Sequence, residues 1–243
     1  MGFDLVYKPY GERSILVEWP SAISEQILKD IIDFKTAIEE KNIKSIVELK
    51  LAYNSLLISY NSVCRNFENE VNMLKKIHKS PKFNNDRMSV LWKIPVCYED
   101  CFGIDLEAIS VEKKLSKKDI IKRHSEAVYT VYFIGFLPGF LYLGGLDESL
   151  HVPRKSTPRL KIEKGAVAIG GQQTGVYPSE SPGGWNIIGN TPVSFFDVTK
   201  GNPCFANPGD HIAFIPITLK EHKDIKTLVD AGVYQIESEV IDG

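Results

Sequence analysis

Tyr129-Thr130-Val131-Tyr132-Phe133-Ile134 is a run of β-branched and aromatic residues that stops at Gly135-Phe136-Leu137-Pro138-Gly139. Such side chains suit a pleated, half-buried strand, and the glycines and proline after it mark a turn. Downstream, short apolar runs recur between Gly and Pro: Ala166–Ile169, Trp185–Ile188, Val193–Phe196 and Ile212–Ile217. Strands of that length with that punctuation predict an antiparallel β sandwich or barrel with long loops.

Upstream, the pattern changes to helices. Ser116, with Asp119 three residues on, reads as the N-cap of a helix running to about Ala127. Another helix starts near Asp105, and Met88–Val96 reads as a strand. Ser80–Asp86 is polar and turn-rich, which predicts a small domain over 1–85 and a larger one over 86–243. Within the first, Phe3–Tyr7 and Ser14–Glu18 read as strands joined at Pro9-Tyr10-Gly11. Ser24 caps a helix with Ile27, Ile31, Phe34 and Ile38 on one face. Ser45–Lys50 and Ser55–Tyr60 follow as strands, and Asn66 caps a helix bearing Phe67, Val71, Leu74 and Ile77. The order ββαββα predicts one antiparallel sheet with helices on a face. The expected class is α+β.

The 243 residues are 43% hydrophobic and 25% charged, which predicts a packed core rather than disorder. With 29 basic against 31 acidic side chains the net charge is −2, which argues against nucleic acid as the main partner. No apolar run approaches the roughly 20 residues that cross a bilayer, so no membrane is expected. Met1–Pro9 lacks the basic-then-apolar pattern of a signal peptide, and the chain is expected in the cytoplasm. Cys64, Cys97, Cys101 and Cys204 read as buried free thiols. The five histidines are scattered, with no H-E-x-x-H, so no metal is expected. His124, at the end of a predicted helix, reads as a structural, hydrogen-bonded histidine. Neither a G-x-x-x-x-G-K-[ST] phosphate loop nor a G-x-S-x-G elbow is present.

Candidate chemistry gathers between Gly135 and Asp197. Phe140 and Tyr142 supply flat apolar walls after the Gly/Pro turn, or simply fill a barrel corner. Arg154 and Arg159 lie on a loop stiffened by Pro153 and Pro158. They read as a carboxylate or phosphate clamp, because guanidinium forms planar bidentate bonds, or as two solvated arginines. Gln172, Gln173 and Thr174 sit between glycines; an amide side chain matches the C=O and N–H of another amide, and a plain sheet-edge turn is the alternative. Tyr177, Gly183, Gly184 and Trp185 add an aromatic surface and backbone N–H groups. No residue stands out as the proton-transfer group.

These motifs in this order (Gly135–Leu143, the two Pro-Arg pairs, Gln173–Pro178, Ser181–Trp185 and Gly189–Pro192) resemble the family of the 5-oxoprolinase B subunit, also called the allophanate hydrolase subunit 1 or KipI family. Tyr10-Gly11-Glu12, Ile94–Tyr98 and Phe102–Leu106 resemble it too, so the likeness spans essentially the whole chain. Asn190 departs from an arginine common there, and Glu48-Leu49-Lys50 from Val-Pro-Ala. The resemblance implies a small α/β N-terminal domain followed by a cyclophilin-like β-barrel. It implies one part of a hydrolase that works with A and C subunits, opening the lactam of 5-oxo-L-proline (pyroglutamate) to L-glutamate. ATP would be the co-substrate of the complex, with no cofactor bound by this chain alone. In that setting Arg154 or Arg159 would bind the substrate carboxylate and Gln172 or Gln173 its amide, while Phe140, Tyr142, Tyr177 and Trp185 exclude water. The family also implies an alternative, inhibition of a sporulation histidine kinase, in which Tyr177, Trp185 and the arginines would anchor a protein partner. Its relation to biotin-dependent urea carboxylase implies a third, weaker one, since no biotin segment is present.

Overall fold

In the computed structural model, residues 2–64, 66–80 and 88–241 are described. They form two compact units, one on each side of residue 86. The expected boundary near Asn85 lies outside the described residues.

The first unit is a four-stranded antiparallel sheet with two helices. β1 (Val6–Pro9) and β2 (Ser14–Glu18) form a hairpin. After α1 (Glu25–Glu40) come β3 (Ile46–Leu51), β4 (Ser55–Tyr60) and α2 (Phe67–Lys79), in strand order β1-β2-β4-β3. The first strand sits later than expected, at Val6–Pro9 rather than Phe3–Tyr7, because Pro9 pairs opposite Ile15 before Gly11 turns the chain. Ile27, Ile31, Phe34 and Ile38 of α1 meet Val71, Leu74 and Ile77 of α2 over Ile15, Val17, Leu56 and Ile58. A carboxylate enters this core: Asp30 Oδ2 accepts from Trp19 Nε1 at 2.8 Å and lies 2.8 Å from His78 Nε2. A buried carboxylate is tolerated when hydrogen-bonded in this way.

The second unit is built on a closed barrel. Its elements are β5 (Ser89–Cys97), α3 (Leu106–Lys113), α4 (Lys117–Glu126), β6 (Val128–Ile134), β7 (Leu141–Gly144), β8 (Arg159–Ile162), β9 (Ala166–Gly170), β10 (Gln173–Val176), β11 (Ser181–Gly183), β12 (Asn186–Asn190), β13 (His211–Ile217), α5 (Leu219–Asp230) and β14 (Glu237–Ile241). Seven strands run β12-β9-β10-β7-β6-β13-β5, and Asn190 of β12 meets Cys97 of β5 to close the ring. β14 pairs with the other half of β5, from Ser89 to Lys93. The pairing of β5 with β13 is parallel. Val131, Leu143, Val167, Ile169, Val176, Ile188, Ile212 and Phe214 fill the interior.

Val193–Phe196, expected as a strand, is not one. Val193 and Phe195 are buried, but the backbone there pairs with no strand among the described residues. Of the four free thiols only Cys97 is buried; Cys101 is exposed, and Cys64 and Cys204 are half-buried. Among the described residues no helix is long and apolar enough to cross a membrane, and no group of His, Cys, Asp or Glu could hold a metal ion.

Candidate functional site

A second, smaller apolar cluster lies on the outer face of β9, β10 and β12. Side chains alternate along a strand, so Val167 and Ile169 point into the barrel while Ala166 and Ala168 point out. Phe140, Tyr177, Trp185, Ile162 and Ile187 pack on that outer face, with Tyr142 and Leu137 at its edge. The two-stranded ribbon of β8 and β11 belongs to the same region. Trp185 fits because Gly170 has no side chain: a Cβ there would stand 2.6 Å from the indole. Phe140 meets both Tyr177 and Trp185 edge-on, at 5.7 and 5.6 Å between centroids, a favoured aromatic arrangement. Tyr142 stacks on Phe133 at 4.1 Å.

The loop after Pro153 brings charge to this face. Asn186 Nδ2 donates to the Pro153 carbonyl at 3.0 Å, and Lys155 N–H donates to the Gly184 carbonyl at 2.7 Å, so the loop is tied at two points. Arg154 is exposed, and its guanidinium sits 5.6 Å from the Trp185 ring centroid, within cation–π range. Arg159 turns inward instead, with Nη2 2.8 Å from Asp105 Oδ1. Burial raises the Tyr177 hydroxyl pKa; a hydrogen bond with the Trp185 backbone and the charges of Arg154 and Arg159 oppose that rise. Gly183 passes so close to this hydroxyl that a Cβ would lie 2.3 Å from it, and Gly184 adjoins the Lys155 carbonyl.

Register separates the two glutamines and the threonine. Gln173 pairs with Gly170 and Gly175 with Ala168, so Gln173 lies on the Trp185 face. Gln172 is exposed in the turn between β9 and β10. Thr174, opposite Ile169, points into the barrel. There its hydroxyl donates to the Ala168 carbonyl at 3.2 Å and faces His124 Nε2 at 2.8 Å. Since that hydroxyl's proton is committed, Nε2 carries the histidine proton and Nδ1 accepts from the Tyr98 hydroxyl at 2.8 Å. The imidazole is fully buried, stacked on Phe214, and burial lowers its pKa to about 3. His124 is thus the neutral, hydrogen-bonded core residue expected, and Thr174 is its partner rather than part of the outer site.

Two residues of this region, Asp105 and Lys155, are given no site role by the sequence pattern. Asp105 reads there only as the start of a helix, yet its side chain makes no cap hydrogen bond. Oδ2 accepts from Ile187 N–H at 2.7 Å, while Oδ1 lies 2.8 Å from Arg159 and 2.9 Å from Lys155 Nζ. Burial alone would raise its pKa; the hydrogen bonds from Arg159, Lys155 and Ile187 outweigh that and hold it below the ordinary carboxylate range. The Gly135–Gly139 turn holds a further feature: Phe136 is exposed with φ +66°, and Leu137 N–H donates to the Gly135 carbonyl across it at 2.8 Å. A left-handed phenylalanine in so tight a turn is strained.

Compared with known proteins, residues 5–206 match the family described as carboxyltransferase domain, subdomain C and D. The B subunit of 5-oxoprolinase from Escherichia coli O157:H7 is 48% identical over 124 residues, which is 51% of this chain and 57% of that protein. The match therefore spans little more than half the length of that relative. A conserved uncharacterized protein of Pyrococcus horikoshii, known from its crystal structure, is 41% identical; the match covers 89% of this chain and all of that one, with a TM-score of 0.54. The Kluyveromyces lactis urea carboxylase shares the fold at 21% identity, with a TM-score of 0.82 over 99% of this chain and 24% of that one.

Proposed function

Because the chain belongs to the carboxyltransferase domain, subdomain C and D family, we propose that it is the B subunit of an ATP-dependent 5-oxoprolinase, helping to open the lactam of 5-oxo-L-proline to L-glutamate in a cytoplasmic complex with A and C subunits. The observation that carries this reading is the 48% identity to the B subunit of a 5-oxoprolinase. The chemistry of the outer face agrees with it. 5-Oxoproline is a small carboxylate bearing a ring amide. Arg154 offers an exposed cation to the carboxylate, and Gln173 offers an amide on the same face to the lactam. Phe140, Tyr142, Tyr177 and Trp185 form the apolar wall that excludes water.

Donors held against the lactam oxygen would stabilise the negative charge that develops as the carbonyl is activated. ATP enters as a co-substrate of the complex; this sequence holds no phosphate loop of the G-x-x-x-x-G-K-[ST] kind. The test is to co-express the chain with its candidate A and C subunits and follow glutamate formed from 5-oxo-L-proline and ATP, omitting each component in turn. Activity that disappears without this chain supports the reading. A soluble three-part assembly that makes no glutamate sinks it.

A further inference from the structure

Asp105 stands at the N-cap of α3 but gives that helix no side-chain cap hydrogen bond, yet it is only 4% exposed and its carboxylate is fully engaged elsewhere. Its Oδ1 faces two cations at once, Lys155 at 2.9 Å and Arg159 at 2.8 Å. One carboxylate neutralises one of them, and Arg154 adds a third cation from the same loop. The cluster therefore carries surplus positive charge where the loop meets solvent. The two cations facing Asp105 are not equivalent. The Arg159 side chain is 29% exposed, but its Nη2 is given to Asp105 and its Nη1 is buried with no hydrogen-bond partner among the described residues, so neither end of the guanidinium fork is presented to a ligand. Lys155 is 27% exposed. An ammonium has three donors, and Asp105 takes one of them.

We propose that Lys155, rather than Arg159, forms the substrate-carboxylate seat together with Arg154, and that Asp105 is the positioning residue that holds Lys155 in place. The ligand is a small monocarboxylic acid bearing a ring amide, and the inference rests on the 5-oxoproline reading above. Asp105 suits this role because it joins three pieces of the fold: the start of α3, the Ile187 backbone in β12, and the Lys155–Arg159 stretch that leads into β8. A seat tied to strand and helix in this way is fixed before the ligand arrives, which lowers the ordering cost of binding.

The experiment uses the three-part assembly carrying wild-type chain, Lys155→Met, Lys155→Arg or Asp105→Asn. Lys155→Met and Asp105→Asn are each expected to raise KM for 5-oxo-L-proline about tenfold with kcat within about twofold, the pattern of lost ground-state binding. Lys155→Arg keeps KM within about threefold of wild type, since it retains the charge. A parallel titration follows the Trp185 indole N–H signal of the chain by NMR, with 5-oxo-L-proline and with 2-pyrrolidinone, the same ring without the carboxylate. Wild type should respond to the acid at lower concentration, and Lys155→Met should make the two ligands equal. Variants that lose thermal stability but keep KM would show that the cluster only staples the loop, and the proposal falls. It falls equally if wild type responds to both rings alike. A wild-type assembly without turnover counts against the oxoprolinase reading instead, and the indole titration still decides the seat.

Discussion

His124 Nε2 and Thr174 Oγ1 lie 2.8 Å apart inside the barrel, joining the last turn of α4 to β10. Together with Tyr98 and the Ala168 carbonyl they form a chain in which each donor meets an acceptor. The imidazole is neutral when folded, its pKa lowered by burial from 6.5 to about 3. Between those values the unfolded chain binds a proton that the folded chain refuses. Stability therefore rises with pH across that window and is lost on acidification, with a slope of up to about 1.4 kcal/mol per pH unit. His124→Gln should flatten this dependence when urea midpoints at about pH 7 and about pH 5 are compared. An unchanged slope would mean that His124 is not the group responsible.

Arg154 and Arg159 should part company under alanine substitution. Arg154→Ala removes only an exposed cation–π contact, so stability should change by about 1 kcal/mol or less. Arg159→Ala takes one cation from the nearly buried Asp105 and should cost about 1–3 kcal/mol. Equal thermal midpoints for the two variants would contradict this division.

Gly170→Ala would drive a methyl group to 2.6 Å from the Trp185 indole. Overpacking of that kind costs about 1–3 kcal/mol, and here the ring must move. Changes in the Trp185 indole N–H signal, with the signals of Trp19 and Trp92 in place, would locate the disturbance on the outer face. A spectrum identical to wild type would contradict the packing.

Phe136→Gly should not destabilise the chain. The loss of an edge contact with Phe140 is offset by release of a left-handed backbone that costs a non-glycine residue about 1–3 kcal/mol. Denaturant titration checks this; a clear loss of stability would mean that the exposed ring anchors the turn.

Features governed by near neighbours are legible in the sequence. Asn66 accepts from Asn69 N–H, and Ser116 from Asp119 N–H, as their helix-start patterns predict. The helix α5 escapes such a reading although Thr218 and Glu221 form a reciprocal capping box, because its one buried residue, His222, gives almost no apolar stripe. Of the candidate site, the aromatic wall and the arginine loop are visible as composition. The split of Gln173 outward from Thr174 inward is not, since it depends on which residue of β9 stands opposite. Asp105 is invisible for a related reason. Its partners lie at 155, 159 and 187, and no local pattern announces a contact across that much chain.

The pairing of β5 bears on how the barrel is made. This strand is the first of its unit to be synthesised, yet Leu91 pairs with His211, Ser89 with Ile241 and Cys97 with Asn190. None of those partners exists while β5 is emerging from a ribosome. The apolar strand that opens the barrel must wait, uncovered, until nearly all the remaining chain has been made. Non-local pairing of this kind folds slowly and exposes strand edges to other chains in the meantime. During production of this protein, β5 is where a chaperone would be needed and where aggregation would begin.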